Sequence, residues 1–311
     1  MGDPVLQQWI IEKNQDGLEQ WINAFLVDRK AQNLSKTTLY FYQKKLQLLK
    51  RFAQREHITT IAELTPDALR RYLLWLEETD HNAGGIHGCY RTLKTFLLWY
   101  EDENEPEGWK NPIHKIKAPK LSKESLAPVE LSTVTTMVEA CPDNFLGLRD
   151  RALLLLLLDT GARASEVCSM DIADFDSVNG GIVIRHGKGG KTRTVFLGKR
   201  ARRAVKAYLR VRPDNHPALF ISRRGERLTY FALKQAIGRV AQRAGVEKAT
   251  PHMFRRAFAL NCLRAGMDVY SLKELMGHED LQILQRYLKL TKGDIEAAHR
   301  NFAPVDRIME P

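Results

Sequence analysis

The 311-residue chain has only four cysteines, Cys89, Cys141, Cys168 and Cys262, with no Cys-x-x-Cys pair among them and no nearby histidine at metal-ligand spacing. Neither a disulfide framework nor a zinc module is favoured, and the expected compartment is reducing. Long apolar runs are also missing. The longest, Ala152 to Leu158, is about a third of what a bilayer crossing needs. Near the start, Val5, Leu6, Trp9, Ile10 and Ile11 are interrupted by glutamines and followed by Glu12, Lys13 and Asp16, unlike a secretory signal. These absences predict a cytoplasmic protein with no membrane partner.

Acidic residues are scarce in one place. From Arg185 to Arg212, 28 positions hold 11 basic residues and no Asp or Glu. The whole chain has 48 Lys and Arg against 37 Asp and Glu, a formal charge of +11. Residues 1–118 hold 16 of each sign, so the entire excess lies on 119–311. A basic block of this kind is either a solvated face or the partner of a polyanion. Phosphates would neutralise it and release counterions, so nucleic acid is the expected partner.

The step in charge coincides with a break in composition. An acidic run from Glu101 to Glu107 is followed by Asn111-Pro112 and a Lys/Pro-rich stretch from Lys115 to Lys123. This predicts an N-terminal domain over 1–113, an extended linker over 114–124 and a C-terminal domain over 125–311.

The first half reads as a bundle of four or five helices. Trp21, Phe25 and Leu26 form one stripe; Leu39, Tyr42, Leu46, Leu49 and Phe52 form a second, opened by Ser35 as N-cap. Thr65-Pro66-Asp67 opens a third through Leu76, and Gly84-Gly85 precede a fourth through Tyr100. The second half is mixed. Helices are expected over 126–141, 148–158, 201–210, 230–244, 253–264, 271–276 and 280–287, and Gly181–Arg185 with Thr192–Leu197 reads as a β-hairpin. The fold class is therefore mainly α with a small antiparallel sheet in the C-terminal domain.

Chemistry-bearing residues recur along this second half. Gly187-Lys188-Gly189-Gly190-Lys191 forms the hairpin turn but enters a strand, whereas a phosphate-cradling P-loop ends in Lys-Ser/Thr before a helix. Lys188 at such a tip can instead donate a proton to a leaving oxygen. Arg163 emerges where Gly161 ends the leucine-rich helix. His252 and Arg255 share a helix face after Pro251; Gly277-His278 closes a helix; Tyr287 follows Arg286. Taken singly, each has an ordinary explanation as an ion pair, a surface imidazole or a packed phenol.

Their order and spacing resemble the active-site set of the tyrosine recombinase (phage integrase) family. Thr160 to Met170 is similar to the family's first arginine box, Ile184 to Leu197 to its lysine-bearing hairpin, His252 to Arg256 to its His-x-x-Arg box, and Leu275 to Tyr287 to its final segment. The helices after Asn33 to Thr38 resemble its SAM-like core-binding domain. Met276, Leu284 and Arg256 depart from the common pattern without touching a catalytic position.

The resemblance implies a two-domain C-shaped DNA clamp and a site-specific recombinase that cuts and rejoins strands through a 3′-phosphotyrosine, with no cofactor and no metal. It implies Tyr287 as nucleophile, His252 as base, Lys188 as acid, Arg163 and Arg255 as phosphate clamp, His278 as a phosphate hydrogen-bond donor and Glu166 as an orienting group. Its partners would be a double-stranded DNA recombination site and three further copies, a homotetramer in which a C-terminal helix at about 294–303 docks on a neighbour or folds onto its own domain. The alternatives are a type IB topoisomerase-like nicking and resealing enzyme and a catalytically silent sequence-specific DNA-binding protein.

Overall fold

The computed structural model describes residues 17–104, 106–121, 127–185 and 192–277, together with 293, 296, 299 and 300. The chain divides into two units, Met1–Glu124 and Ser125–Pro311.

The first unit holds four helices among its described residues: α1 (Leu18–Ala31), α2 (Lys36–Arg55), α3 (Pro66–Glu78) and α4 (Ala83–Asn104). Local chemistry sets their starts. Ser35 Oγ accepts the Thr38 amide at 3.1 Å and Thr65 Oγ1 accepts that of Ala68 at 3.2 Å, so each hydroxyl satisfies a donor that the first turn leaves unpaired. α4 begins earlier than the glycine pair suggested. Asn82 Oδ1 accepts the Gly85 amide at 2.8 Å, and this cap draws Gly84 and Gly85 into the helix. Phe25, Leu46, Leu49, Phe52, Leu69, Leu76, Phe96 and Leu97 form the buried core. Part of the stretch read as linker belongs to this core. Pro112–Lys115 forms a 3-10 turn, Ile113 and Ile116 are buried, and Tyr90 donates to the Ile116 carbonyl at 3.0 Å.

The second unit contains α5 (Leu131–Glu139), α6 (Phe145–Thr160), α7 (Ala164–Ser169), β1 (Gly181–Ile184), β2 (Arg193–Phe196), α8 (Lys199–Arg210), α9 (Tyr230–Arg243), α10 (Pro251–Arg264) and α11 (Val269–Met276). α6 is its axis. Ala152, Leu153, Leu154, Leu156 and Leu157 are all buried, as expected of a helix that is apolar nearly all round and packed on several sides. α8 and α10 lie against it, and β1 and β2 pair antiparallel with Gly181 opposite Phe196 and Ile184 opposite Arg193. The mainly α reading with a small antiparallel sheet holds. The helix expected over 126–141 is shorter, because residues 127–130 are not helical and the Val129 amide bonds instead to the Met253 carbonyl at 3.3 Å. The short helix α7, which carries Glu166, had no periodic signal. The expected helices at 280–287 and 294–303 lie outside the described residues except at isolated positions. All four cysteines are free, and no described helix is long and apolar enough to cross a membrane.

Candidate active site

The site begins where α6 stops. Gly161 adopts the left-handed conformation at φ 58°, and a Cβ there would lie 2.3 Å from the Phe258 ring, so only glycine fits both the turn and the approach of α10. One residue after Ala162, Arg163 caps α7. Its backbone amide donates to Glu166 Oε2 at 2.7 Å and its Nη1 to Glu166 Oε1 at 2.8 Å. Glu166 is buried. Burial alone disfavours its charged form, but hydrogen bonds and charge from Arg193 and Arg163 outweigh it and hold the carboxyl below its ordinary value.

α10 delivers the second arginine. Arg255 is 2% exposed, and donates through Nη1 to the Gly161 carbonyl at 2.5 Å and through Nη2 to the Met276 carbonyl at 2.8 Å. His252 lies one turn earlier on the same helix and is exposed. Partial shielding of its ring, then the charges of Arg256, Arg255 and Arg163, push its pKa below 6.5.

A third segment closes the arrangement. α11 ends at Gly277 in the left-handed conformation, and its last carbonyls lack intrahelical donors. Three arginines supply them: Arg193 Nε donates to Leu275 O at 3.0 Å, Arg255 Nη2 to Met276 O, and Arg163 Nη2 to Gly277 O at 3.0 Å. The negative end of the helix dipole favours the same placement of cations. Arg163 from one motif and the His252–Arg255 pair from another are thus brought together. Lys188, His278 and Tyr287 lie outside the described residues. The pinned end of α11 immediately precedes His278 in the chain.

Arg193 is the member that sequence reasoning missed. It was counted with the basic block, yet its Nη1 and Nη2 meet Glu166 at 2.9 and 2.7 Å. A signal was present: Arg193 and Val195 share the inward side of β2, and a cation on a core-facing strand position requires a buried partner. Other cations of the block are also engaged internally. Arg185 pairs with buried Asp174, Arg202 donates to the Val178 carbonyl, and Arg212 binds Asp214 and three carbonyls. Among the described residues no group of three or more His, Cys, Asp or Glu is placed to hold a metal ion.

The model of the phage integrase family matches residues 129–293, and that of the phage integrase N-terminal SAM-like domain matches residues 18–104. The chain belongs to the phage integrase family. Among its relatives, tyrosine recombinase XerA of Pyrococcus furiosus is 31% identical over 284 residues, covering 90% of this chain and 92% of that protein. Tyrosine recombinase XerC of Oceanobacillus iheyensis is 31% identical over 306 residues, covering 92% and 97%. In fold, the chain is similar to a lambda integrase tetramer bound to a Holliday junction, with a TM-score of 0.73, 17% identity, and 94% and 84% of the two chains covered. As a member of this family the chain is a tyrosine-type recombinase, and the topoisomerase-like and silent DNA-binding alternatives are not favoured.

Proposed function

We propose that this integrase-family chain cuts and rejoins duplex DNA at a specific site through a covalent 3′-phosphotyrosine at Tyr287, acting as a homotetramer on two sites. The observation that carries the reading is the convergence of Arg163 and Arg255, 92 residues apart in sequence, on the adjacent carbonyls of Gly277 and Met276. A phosphoryl transition state gathers negative charge on its non-bridging oxygens, and planar guanidiniums match those oxygens in geometry and charge. Holding the guanidiniums in place beforehand removes the cost of gathering them during the reaction.

A phenol has a pKa of about 10 and is a poor nucleophile at neutral pH. Tyr287 Oη attacks phosphorus, His252 accepts the phenolic proton, the P–O5′ bond breaks and Lys188 protonates the departing 5′-oxygen. His278 donates to a non-bridging oxygen. The phosphotyrosine bond retains the phosphodiester energy, so a new 5′-hydroxyl can reverse the steps without a nucleotide co-substrate. Exchange between two duplexes cuts four strands, and with one nucleophile per protomer four copies are required.

The N-terminal unit offers a second basic surface. Tyr40, Gln43, Lys44, Gln47 and Arg51 line a depression of about 300 Å³ along α2, with Lys44 Nζ 5.4 Å from the Tyr40 ring centroid. This depression suits a phosphate backbone, and Arg91 and Lys94 on α4 are further exposed cations of the unit, although the first 118 residues sum to zero charge.

The functional test uses a nicked duplex carrying the inverted repeat that the protein footprints on DNA flanking its own gene. Loss of the short fragment beside the nick prevents religation, so the wild-type protein should accumulate as a covalent adduct. Supercoil relaxation by a monomer, with no strand exchange between two duplexes, overturns the recombinase reading. The pH profile tests the base. His252 must be neutral to accept a proton, and its lowered pKa places the acid limb of adduct formation below pH 6.5. Arg256→Gln removes one of the charges responsible and should move that limb upward. A limb unmoved by Arg256→Gln and lying above pH 6.5 removes His252 from the role.

A further inference from the structure

The roles above leave Arg193 unassigned, although it is bonded as fully as any described residue of the site. Its guanidinium is bidentate on Glu166 and its Nε holds the Leu275 carbonyl. The side chain is 13% exposed, against 28% for Arg163. We propose that Arg193 is a positioning residue, which locks the Glu166 carboxylate that orients Arg163 to the end of α11 that leads into His278. The proposal rests on the recombinase chemistry above and adds a residue to it.

Three features carry it. First, all three guanidinium nitrogens of Arg193 donate to acceptors on two other segments, the Glu166 carboxylate and the Leu275 carbonyl, so the side chain holds those segments in register. Second, Glu166 binds Arg163 through both of its oxygens, so any motion of the carboxylate is passed directly to the Arg163 side chain and backbone. Arg193 and Arg163 are both hydrogen-bonded to this carboxylate. Third, the end of α11 is shaped around the Arg193 guanidinium: a Cβ on Gly277 would lie 2.8 Å from its Nη1. The hairpin strand β2, the first arginine segment and the segment before His278 thereby meet on one guanidinium. A lysine keeps the charge but is a single donor point and cannot span a bidentate carboxylate and a third acceptor together.

The test is Arg193→Lys, assayed by single-turnover adduct formation on the nicked, footprinted duplex. The expected result is an affinity for that duplex within about twofold of wild type and an adduct rate lower by roughly 100-fold, the scale of a misplacement of about 1 Å. The deficit should deepen as the pH falls, because Glu166 without its bidentate partner takes up a proton more readily and loosens its hold on Arg163. Loss of the partner also leaves a buried carboxylate poorly paired, so a second variant guards against unfolding. Glu166→Gln with Arg193→Gln removes both charges together, and should melt near wild type, cleave slowly and show no added deficit at low pH. Wild-type cleavage rates in Arg193→Lys or in the double variant overturn the positioning role while leaving the recombinase reading intact. A deficit confined to DNA affinity overturns it equally. Failure of the wild-type protein to form any adduct overturns the recombinase reading and the positioning role with it.

Discussion

Tyr287→Phe is expected to abolish the covalent adduct completely while binding the same nicked duplex with unchanged affinity. The substitution removes one oxygen, the atom that would form the bond to phosphorus, and leaves the rest of the side chain unchanged. Water cannot replace it in kind, because the linkage that preserves the phosphodiester energy needs a nucleophile that stays attached to the protein. Gel separation under denaturing conditions reads the adduct, and a binding titration under native conditions reads affinity. Equal adduct yield from the phenylalanine variant would move the nucleophile to another residue. Loss of binding in parallel with loss of adduct would make Tyr287 a DNA contact instead.

Arg163→Ala and Arg255→Ala should each slow adduct formation by roughly 100- to 1,000-fold, the usual cost of removing one preorganised donor from a developing oxyanion. Their stabilities should differ. Arg255 is buried, and its removal leaves the Gly161 and Met276 carbonyls without that donor at a cost of about 1–3 kcal/mol each. Arg163 is more exposed, and Glu166 keeps Arg193 when it is lost. Arg163→Ala should therefore melt closer to wild type than Arg255→Ala while losing a similar factor in rate. Urea unfolding beside single-turnover cleavage separates the two effects. Wild-type cleavage by Arg163→Ala would remove it from the clamp, however stable the variant proved.

Much of the architecture could be read from local sequence. Ser35 and Thr65 cap the helices they were expected to cap, Gly161 ends α6, and the segments read as strands on either side of the glycine turn pair as a hairpin. These features depend on residues within four or five positions of one another, so periodicity and capping chemistry suffice. The sequence misled where a local signal competed with a partner elsewhere. Gly84-Gly85 looked like a helix boundary until the Asn82 side chain capped the turn containing them. Ile116 sat in a stretch whose lysines and prolines suggested an open linker, yet it is buried in the first core.

The candidate site shows the same division. The sequence alone determined which residue types stand in which order: two arginine boxes, a lysine-bearing turn, two histidines and a tyrosine, with all net charge on 119–311. That order was enough to suggest the family. Only the tertiary structure decided which distant groups each of these arginines holds. Arg193 reaches Glu166 across 27 residues and Leu275 across 82, Arg255 reaches Gly161 across 94, and Arg163 reaches Gly277 across 114. No periodicity encodes contacts at such separations. They exist because α6 and α10 pack closely at Gly161, because β2 turns one arginine inward, and because the end of α11 leaves its last carbonyls to be satisfied by whatever cations the fold brings there.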